Sequence, residues 1–127
     1  MTTTFPEGSY AFDLALQADG KIIAAETVFV DFNPGESSNT DFALARYNPD
    51  GSSDATFGNG GQVSTDLLGL EDDVFSVLIQ PDGKIVAVGS ANDPATFYDF
   101  AAVRYLSNGT LDNDIRRGWK SAHRLRR

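Results

Sequence analysis

At 127 residues, 41% of them hydrophobic and none of them cysteine, the chain suits one compact domain and excludes disulfides and thiolate metal sites. The formal net charge of −8 hides an acidic body, because residues 1–115 carry all 18 carboxylates and only four of the ten cationic side chains. A surface this acidic repels nucleic-acid phosphates and anionic membranes, so we expect neither nucleic acid nor membrane as a partner.

No signal for targeting or membrane insertion is expected in the chain. Residues 1–6 have neither the basic region nor the apolar region of a signal peptide. No apolar run approaches the ~18 residues that a membrane-spanning helix needs. A chain without cysteine suits oxidising and reducing compartments alike, so the compartment is left open.

The chain contains the same block of sequence twice. Residues 17–24 read Gln-Ala-Asp-Gly-Lys-Ile-Ile-Ala, and residues 80–87 read Gln-Pro-Asp-Gly-Lys-Ile-Val-Ala. The heptapeptide Asp-Phe-Ala-Leu-Ala-Arg-Tyr at residues 41–47 returns as Asp-Phe-Ala-Ala-Val-Arg-Tyr at residues 99–105. Such self-similarity is typical of a supersecondary unit that is repeated and stacks on its neighbours.

Each copy predicts a series of short strands. The apolar segments are brief and bounded by turn residues, as strands are, and Ala-Asp-Gly or Pro-Asp-Gly supplies the tight turn between the first two. In the first copy, strands a, b, c and d are predicted at residues 12–17, 21–26, 41–48 and 62–67. In the second copy, strands a, b and c are predicted at residues 74–80, 84–90 and 99–106. No segment shows the 3.6-residue period of a helix, so no helix is expected.

The alternation of side chains predicts the core and the fold class. Strands b and c are apolar on both faces, and antiparallel strands of this kind must be covered on both faces. Four-stranded antiparallel sheets packed face to face around an axis are the blades of a β-propeller. We therefore predict an all-β fold, a partial β-propeller of two repeats. The expected core residues are Phe12, Leu14, Leu16, Ile22, Phe42 and Leu44, with their counterparts Phe75, Val77, Ile79, Ile85, Phe100 and Ala102.

The two repeats divide the chain into two predicted blades and a tail. Residues 1–73 are expected to form the first blade, and residues 74–115 an incomplete second blade. The ten residues from Asp114 can be encoded so that a frame one base later reads Thr-Phe-Gly-Ala-Gly-Gly-Lys-Val-Leu-Thr, which is the missing continuation of the repeat. We therefore interpret residues 116–127 as an aberrant, out-of-frame basic tail; the alternative is a tail selected for a function.

These repeats resemble the delta-60 repeat family. Its units contain Gln-Pro-Asp-Gly-Lys-Ile-Val, then Asp-Phe-Ala-Leu-Ala-Arg-Tyr, then Asp-Gly-Ser-Leu-Asp-x-x-Phe-Gly, and the likeness covers most of residues 11–115. The resemblance implies tandem propeller blades from a large bacterial protein that is often exported or displayed at the cell surface. It supplies no catalytic residue. The chain departs from the family in having two copies and in lacking the second Phe-Gly-x-Gly-Gly segment.

One loop carries weak candidate ligands for a metal ion. Residues 48–54 loosely resemble a calcium loop, with Asn48, Asp50 and Asp54 as the oxygen ligands. The loop has no closing Glu, and a turn in which these side chains cap backbone amides is the favoured interpretation. The glycine-rich residues 58–61 are interpreted in the same way, as a tight turn into strand d, because no helix follows them as in a phosphate-binding loop.

Other charged residues receive structural interpretations. Residues 71–73 (Glu-Asp-Asp) are expected to form a solvated acidic link between the repeats. Arg46 and Arg104 lie on apolar strands, and we expect each to pair with a repeat-equivalent carboxylate, for example Asp41 and Asp99, or with a carboxylate of a neighbouring blade; the alternative is an arginine that binds a ligand.

The function predicted from the sequence is a non-enzymatic structural or interaction module, without catalytic residues or cofactors. Its expected partners are further propeller blades, or a second copy of the chain that binds through open blade faces. The alternatives are a calcium- or carbohydrate-binding propeller module and a propeller-type hydrolase. The single histidine, His123, lies in the aberrant tail, so a Ser-His-Asp site has no histidine to use.

Overall fold

The computed structural model describes residues 8–31, 39–67, 71–93 and 97–112. These residues contain no helix, and the all-β prediction is confirmed. Seven strands run through them: β1 (Ser9–Leu16), β2 (Ile22–Asp31), β3 (Asn39–Tyr47), β4 (Gln62–Thr65), β5 (Asp72–Ile79), β6 (Ile85–Asp93) and β7 (Phe97–Tyr105).

The strands form two antiparallel sheets, one for each sequence repeat. The first sheet has the order β1-β2-β3-β4, and the second has the order β5-β6-β7. Strand β5 lies across β1, β2 and β3, so the second sheet packs on one face of the first. Two stacked blades leave the circle open, and the predicted partial β-propeller is confirmed.

The same turn closes the first hairpin of both repeats. Gly20 and Gly83 have φ angles of 89° and 88°, in the left-handed region that favours glycine. Asp19 and Asp82 each accept the backbone N–H of the lysine two residues later, at 3.0 Å. The Asp-Gly pair is therefore used twice for one purpose, with the carboxylate capping the turn and the glycine completing it.

A β-bulge interrupts the first strand of both repeats at the same position. The pairing register shifts at Phe12 in β1 and at Phe75 in β5. The two phenylalanines are repeat equivalents, and their rings pack edge to face with centroids 6.3 Å apart. A bulge re-aims the side chain of the extra residue, so these two rings leave the alternation of their strands.

The main hydrophobic core lies between the two sheets, and the face of the first sheet that builds it is here called the inner face. Both sheets contribute side chains that are almost completely buried: Ile23, Phe42 and Leu44 from the first, and Ile85, Ala87, Val103 and Tyr105 from the second. The equivalents of Ile85 and Tyr105 in the first repeat, Ile22 and Tyr47, pair with each other on the opposite side of the first sheet. The repeats therefore stack in one direction, as successive blades do.

Two sheet faces point away from this core. The front face of the first sheet carries Leu14, Leu16, Ile22, Ala24, Ala45 and Tyr47, as the strand registers show. The back face of the second sheet carries Leu78, Val86, Val88, Phe100, Ala102 and Arg104. In the full circle of a propeller, faces of these two kinds meet each other at every boundary between blades.

The predicted core is correct in part. Phe42, Leu44, Val77 and Ile85 are buried, and Ile22, Ile79 and Ala102 are partly buried. The prediction is wrong for five exposed side chains: Phe12, Leu14, Leu16, Phe75 and Phe100. The bulges redirect the first and fourth of these, and the other three lie on the front and back faces.

The basic tail lies outside the described residues. The interpretation of this tail as out-of-frame, and the placement of His123 in it, therefore stay predictions. Within the described ranges, no helix combines the length and the apolar character needed to cross a membrane.

Candidate functional site at the seam between the sheets

One carboxylate of the first repeat binds two cations. Asp54 Oδ2 lies 2.8 Å from Lys21 Nζ and 2.8 Å from Arg46 Nε. Its other oxygen, Oδ1, accepts the backbone N–H and the hydroxyl of Thr56 at 3.0 and 2.6 Å. The bonds from Lys21 and Thr56 hold the pKa of Asp54 far below its usual range. The carboxylate is therefore ionised and fixes the loop after β3 to the sheet.

The second repeat reproduces this arrangement. Asp112 Oδ2 lies 3.3 Å from Lys84 Nζ and 2.8 Å from Arg104 Nε. The prediction that the two arginines pair with repeat-equivalent carboxylates is correct, but the partner of Arg46 is Asp54 and not Asp41. Arg104 binds Asp112, and the side chain of the suggested Asp99 lies outside the described residues. Asp41 and Arg46 stand an odd number of residues apart on one strand, so their side chains point to opposite faces of the sheet.

Arg46 also fastens the second repeat to the first. Its Nη1 donates a hydrogen bond to the carbonyl oxygen of Ser107, in the turn after β7. Its guanidinium lies 4.6 Å from the ring centroid of Phe57, a cation–π distance. Beside it, the backbone N–H of Gly58 donates to the carbonyl of Asn108 at 2.8 Å. The loop after β3 thus holds the corresponding turn of the next repeat.

The glycine-rich segment at residues 58–61 is a turn into β4, as predicted. Gly58 has a φ of 55°, and a Cβ there would lie 2.3 Å from the carbonyl oxygen of Gln62. Only glycine fits so close an approach of the backbone to itself.

The calcium candidates at residues 48–54 make local hydrogen bonds. Asp50 Oδ1 accepts the N–H and the hydroxyl of Ser52 at 2.9 and 2.6 Å, and the Asn48 amide donates to Ser52 Oγ at 3.1 Å. Asp54, the third candidate, faces Lys21 and Arg46 instead. These contacts support the turn interpretation, and calcium binding at this loop stays a prediction that would require Asp54 to release two cations.

A different group of carboxylates comes together at the ends of three strands. Asp41, Asp66 and Asp72 each offer an oxygen within 4.8 Å of the others, and Asp72 Oδ2 accepts the N–H of Leu67 at 2.8 Å. The prediction that residues 71–73 form a solvated link is wrong, because Asp72 is completely buried. It begins β5, which crosses the inner face of the first sheet. Sequence reasoning missed this trio because Asp41 is distant from the other two along the chain and comes near them only through the pairing of β3 with β4 and the packing of β5 on β3.

Side-chain oxygens of the first sheet accept hydrogen bonds from backbone N–H groups of β5. The N–H of Val74 donates to Thr27 Oγ1, and the N–H of Asp72 donates to Thr40 Oγ1, each at 3.1 Å. Asp13 Oδ2 accepts a third backbone N–H of β5 at 2.9 Å, and this bond lowers the pKa of Asp13. An edge strand would otherwise expose such donors. The seam between the blades is thus joined by hydrogen bonds as well as by the core.

A cleft of about 260 Å³ opens at the seam, where the beginning of β5 crosses β1 and β2. We call it the seam cleft. Two aromatic pairs line it: Tyr10 packs edge to face on Phe29 with centroids 5.6 Å apart, and Phe12 packs in the same way on Phe75. Aromatic residues can be found in the sequence, but the two bulges that bring Phe12 and Phe75 together carry no sequence signal of their own.

The polar lining of the seam cleft is acidic. Glu71 and Asp73 contribute carboxylates, and Thr27 and Thr40 contribute hydroxyl groups that are themselves buried. Burial raises the pKa of Asp73, the hydrogen bond donated by Thr40 Oγ1 at 3.1 Å opposes this effect, and the charge of Glu71 adds to it. None of the described residues that line the cleft is cationic.

Comparison with known families gives a match that covers parts of both repeats. A family model described as a domain of unknown function (DUF5122), beta-propeller, matches residues 17–57 and 80–114. The two matched segments begin at Gln17 and Gln80, which are equivalent positions of the two repeats, and together they cover more than half of the chain. No curated protein matches it.

Proposed function

The chain belongs to the DUF5122 β-propeller family, and from this premise we propose that it is a non-enzymatic interaction module whose open blade faces bind other blades of the same kind. We further propose that its repeats are of the delta-60 type, on the strength of the motifs shared by residues 17–24, 41–47, 80–87 and 99–105.

The observation that supports this proposal most directly is a change of exposure between equivalent positions. Phe42, on the inner face, is completely buried by the second sheet, whereas its equivalent Phe100 on the back face is 66% exposed. On the other side, Leu14 of the front face is 64% exposed, whereas its equivalent Val77 is 6% exposed. The contact between the two sheets buries Phe42 of the first repeat and Val77 of the second. In the described part of the chain, their equivalents Phe100 and Leu14 stay exposed, on the faces where a further blade would pack.

The two open faces are complementary in kind. Within the chain, Val77 and its neighbours lie against the inner face, and Phe42 is part of that contact. A second copy could place Leu14 and Leu16 against the back face in the same way that Val77 and Ile79 meet the inner face. This contact joins unlike surfaces, so it repeats from copy to copy and either closes a ring or extends a chain of molecules.

Arg104, on the back face, could make with a further blade the contact that Arg46 makes with Ser107. Arg46 bridges the seam to Ser107, whereas its equivalent Arg104 retains the bond to Asp112 and is more exposed, with 24% of its side-chain surface accessible against 8% for Arg46. A further blade would offer Arg104 a turn carbonyl like that of Ser107. We propose that the cluster of Lys84, Arg104 and Asp112 is a docking element and not a ligand site.

The negative charge of the two repeats should weaken the association between copies at low ionic strength. The repeats carry many more carboxylates than cations, so two copies repel each other at low ionic strength. Salt that screens this repulsion is expected to strengthen association, while the apolar faces supply the attraction.

Sedimentation velocity over a range of concentrations tests the proposal. We expect the wild-type chain to associate, and we expect Phe100→Glu and Leu14→Glu each to prevent association by placing a charge on one of the two faces. Leu106→Glu is the matched control, since Leu106 is also exposed but lies in the turn after β7. A wild-type chain that stays monomeric at all concentrations, or a control that acts like the test variants, would contradict the proposal.

A further inference from the structure

The seam cleft has a composition unlike the rest of the surface. Four aromatic side chains line it, arranged as two edge-to-face pairs. Ring faces carry negative charge density, and they attract cations at contact distance. Its volume of about 260 Å³ is near the lower limit for small-molecule pockets. The cleft is therefore suited to a small ligand.

The carboxylates of the cleft favour a positive charge in it. Glu71 and Asp73 face the same opening, and the charge of Glu71 contributes to the raised pKa of Asp73. A bound cation would relieve this like-charge contact and would be held in a partly desolvated position, where electrostatic attraction is stronger than in water. An anion would be repelled by the two carboxylates.

The hydroxyl groups of the cleft indicate what kind of cation fits. Thr27 Oγ1 already accepts the N–H of Val74, and Thr40 Oγ1 both accepts the N–H of Asp72 and donates to Asp73. A primary ammonium brings three N–H donors that need acceptors; the two carboxylates can accept them, but the two threonine oxygens already accept backbone N–H groups of β5. A quaternary ammonium needs no hydrogen bonds, and its methyl groups pack on aromatic rings.

From these observations we propose that the seam cleft binds a small quaternary ammonium ion. Tyr10, Phe29, Phe12 and Phe75 contact the methyl groups, and Asp73 together with Glu71 balances the charge. The trimethylammonium group of a free choline-like molecule and that of a trimethylated lysine share this chemistry, and binding experiments with each distinguish the two sources. The site uses both repeats, because β1 and β2 supply one wall and β5 supplies the other.

Isothermal titration calorimetry of the full chain with choline chloride tests this proposal. We expect saturable binding at millimolar choline. The neutral isostere 3,3-dimethylbutan-1-ol, which has the same shape without the charge, is expected to bind about tenfold more weakly, a loss of about 1.4 kcal/mol of cation–π and ionic attraction. A short peptide with trimethyl-lysine is titrated in parallel, and tighter binding than choline would identify a peptide as the source of the group.

Two variants with matched controls locate the site. Phe12→Leu keeps an apolar side chain but removes a ring, and Asp73→Asn keeps the shape and the bond from Thr40 but removes a charge. Each is expected to weaken choline binding about tenfold. The controls are Phe100→Leu, on the back face, and Asp50→Asn, which introduces the residue found at the equivalent position in the second repeat; both should bind choline as the wild type does.

Folding of every variant is checked by circular dichroism and by the thermal midpoint. If Phe12→Leu were to unfold, Asp73→Asn and the neutral isostere would still decide the question. Equal binding of choline and its neutral isostere would overturn the proposal. An equal effect of the test and control variants, or no saturable heat with choline, would do the same.

Discussion

The hydroxyl of Tyr105, in the second sheet, lies 2.5 Å from Thr65 Oγ1 in the first sheet. The tyrosine ring is completely buried. Tyr105 ends the segment Ala-Val-Arg-Tyr, whose counterpart in the first repeat is Leu-Ala-Arg-Tyr. The pair connects β7 to β4, the last strand of the preceding blade. The repeated tyrosine is thus a contact between blades, in the same seam as Arg46 and Ser107.

The buried phenol makes stability sensitive to alkaline pH. Burial raises the pKa of Tyr105 from 10.0 to about 12, so the folded state favours the neutral phenol. Its contribution is complete below pH 10 and is lost as the pH rises toward 12. We expect the free energy of unfolding, measured by urea titration, to fall over this range more steeply for the wild type than for Tyr105→Phe. Tyr10→Phe, at an exposed position, is the control and should keep the wild-type slope; equal slopes for all three would contradict the assignment.

The two equivalent phenylalanines should differ in their effect on stability. Phe42→Ala removes a fully buried ring from the core between the sheets, and such truncations cost about 3–5 kcal/mol. Phe100→Ala changes an exposed side chain, and its effect should stay within about 0.5 kcal/mol. Urea unfolding of both variants at low protein concentration, where association is minimal, measures the difference. Similar losses for the two would show that the back face is covered within the monomer.

The ionised carboxylate of Asp54 should contribute to the free energy of unfolding, and this contribution should be lost in acid. Its pKa is held below the ordinary value of 3.8 by Lys21, Thr56 and Arg46, so its contribution is present above pH 3.8 and is lost as the pH falls further. Asp54→Asn leaves Lys21 and Arg46 without their carboxylate and should lower the free energy of unfolding at pH 7, with a weaker dependence on acid. Asp82→Asn, at an exposed turn position where the amide oxygen can still accept the N–H of Lys84, is the control for charge alone. A wild-type acid profile in Asp54→Asn would refute the assignment.

Restoring the second repeat should add a strand. We predict that replacing residues 114–123 by Thr-Phe-Gly-Ala-Gly-Gly-Lys-Val-Leu-Thr pairs a fourth strand with β7, as β4 pairs with β3, and raises the thermal midpoint. The new phenylalanine would occupy the position relative to Arg104 that Phe57 has relative to Arg46. A scrambled insert of the same composition is the control. Deletion of residues 116–127 should leave stability unchanged or improved, and loss of folding on deletion would show that the tail was selected.

The strands and turns could be predicted from the sequence because their determinants are local. Asp-Gly at a fixed spacing specifies each first turn, and a run of apolar residues between two turns specifies each strand. The repeat itself supplied the strongest argument, since each prediction for the first copy could be checked against the second. The strand bounds differ from those predicted: β2 continues to Asp31 through polar and apolar residues alike, whereas β4 ends at Thr65, before the predicted end at residue 67.

The burial of individual side chains could not be predicted in the same way, because it depends on which faces meet. Phe12 and Phe75 leave the strand alternation at bulges, which arise from the pairing of two strands and not from either sequence alone. Asp72 was predicted to be solvated because it lies in the acidic run at residues 71–73. Its strand crosses the inner face of the first sheet, and this contact buries the Asp72 side chain. The seam cleft is likewise formed by two repeats together, so no single segment indicates it.

Mixing two variants tests the head-to-tail contact most directly. Phe100→Glu blocks the back face and leaves the front face intact, whereas Leu14→Glu does the reverse. If unlike faces meet, each variant alone is monomeric, and an equimolar mixture forms a dimer and nothing larger, because every molecule has one usable face. Sedimentation velocity and light scattering on the two variants and their mixture give this result directly. A mixture that stays monomeric, or a Leu14→Glu variant that associates alone, would contradict the docking of one blade face on the other.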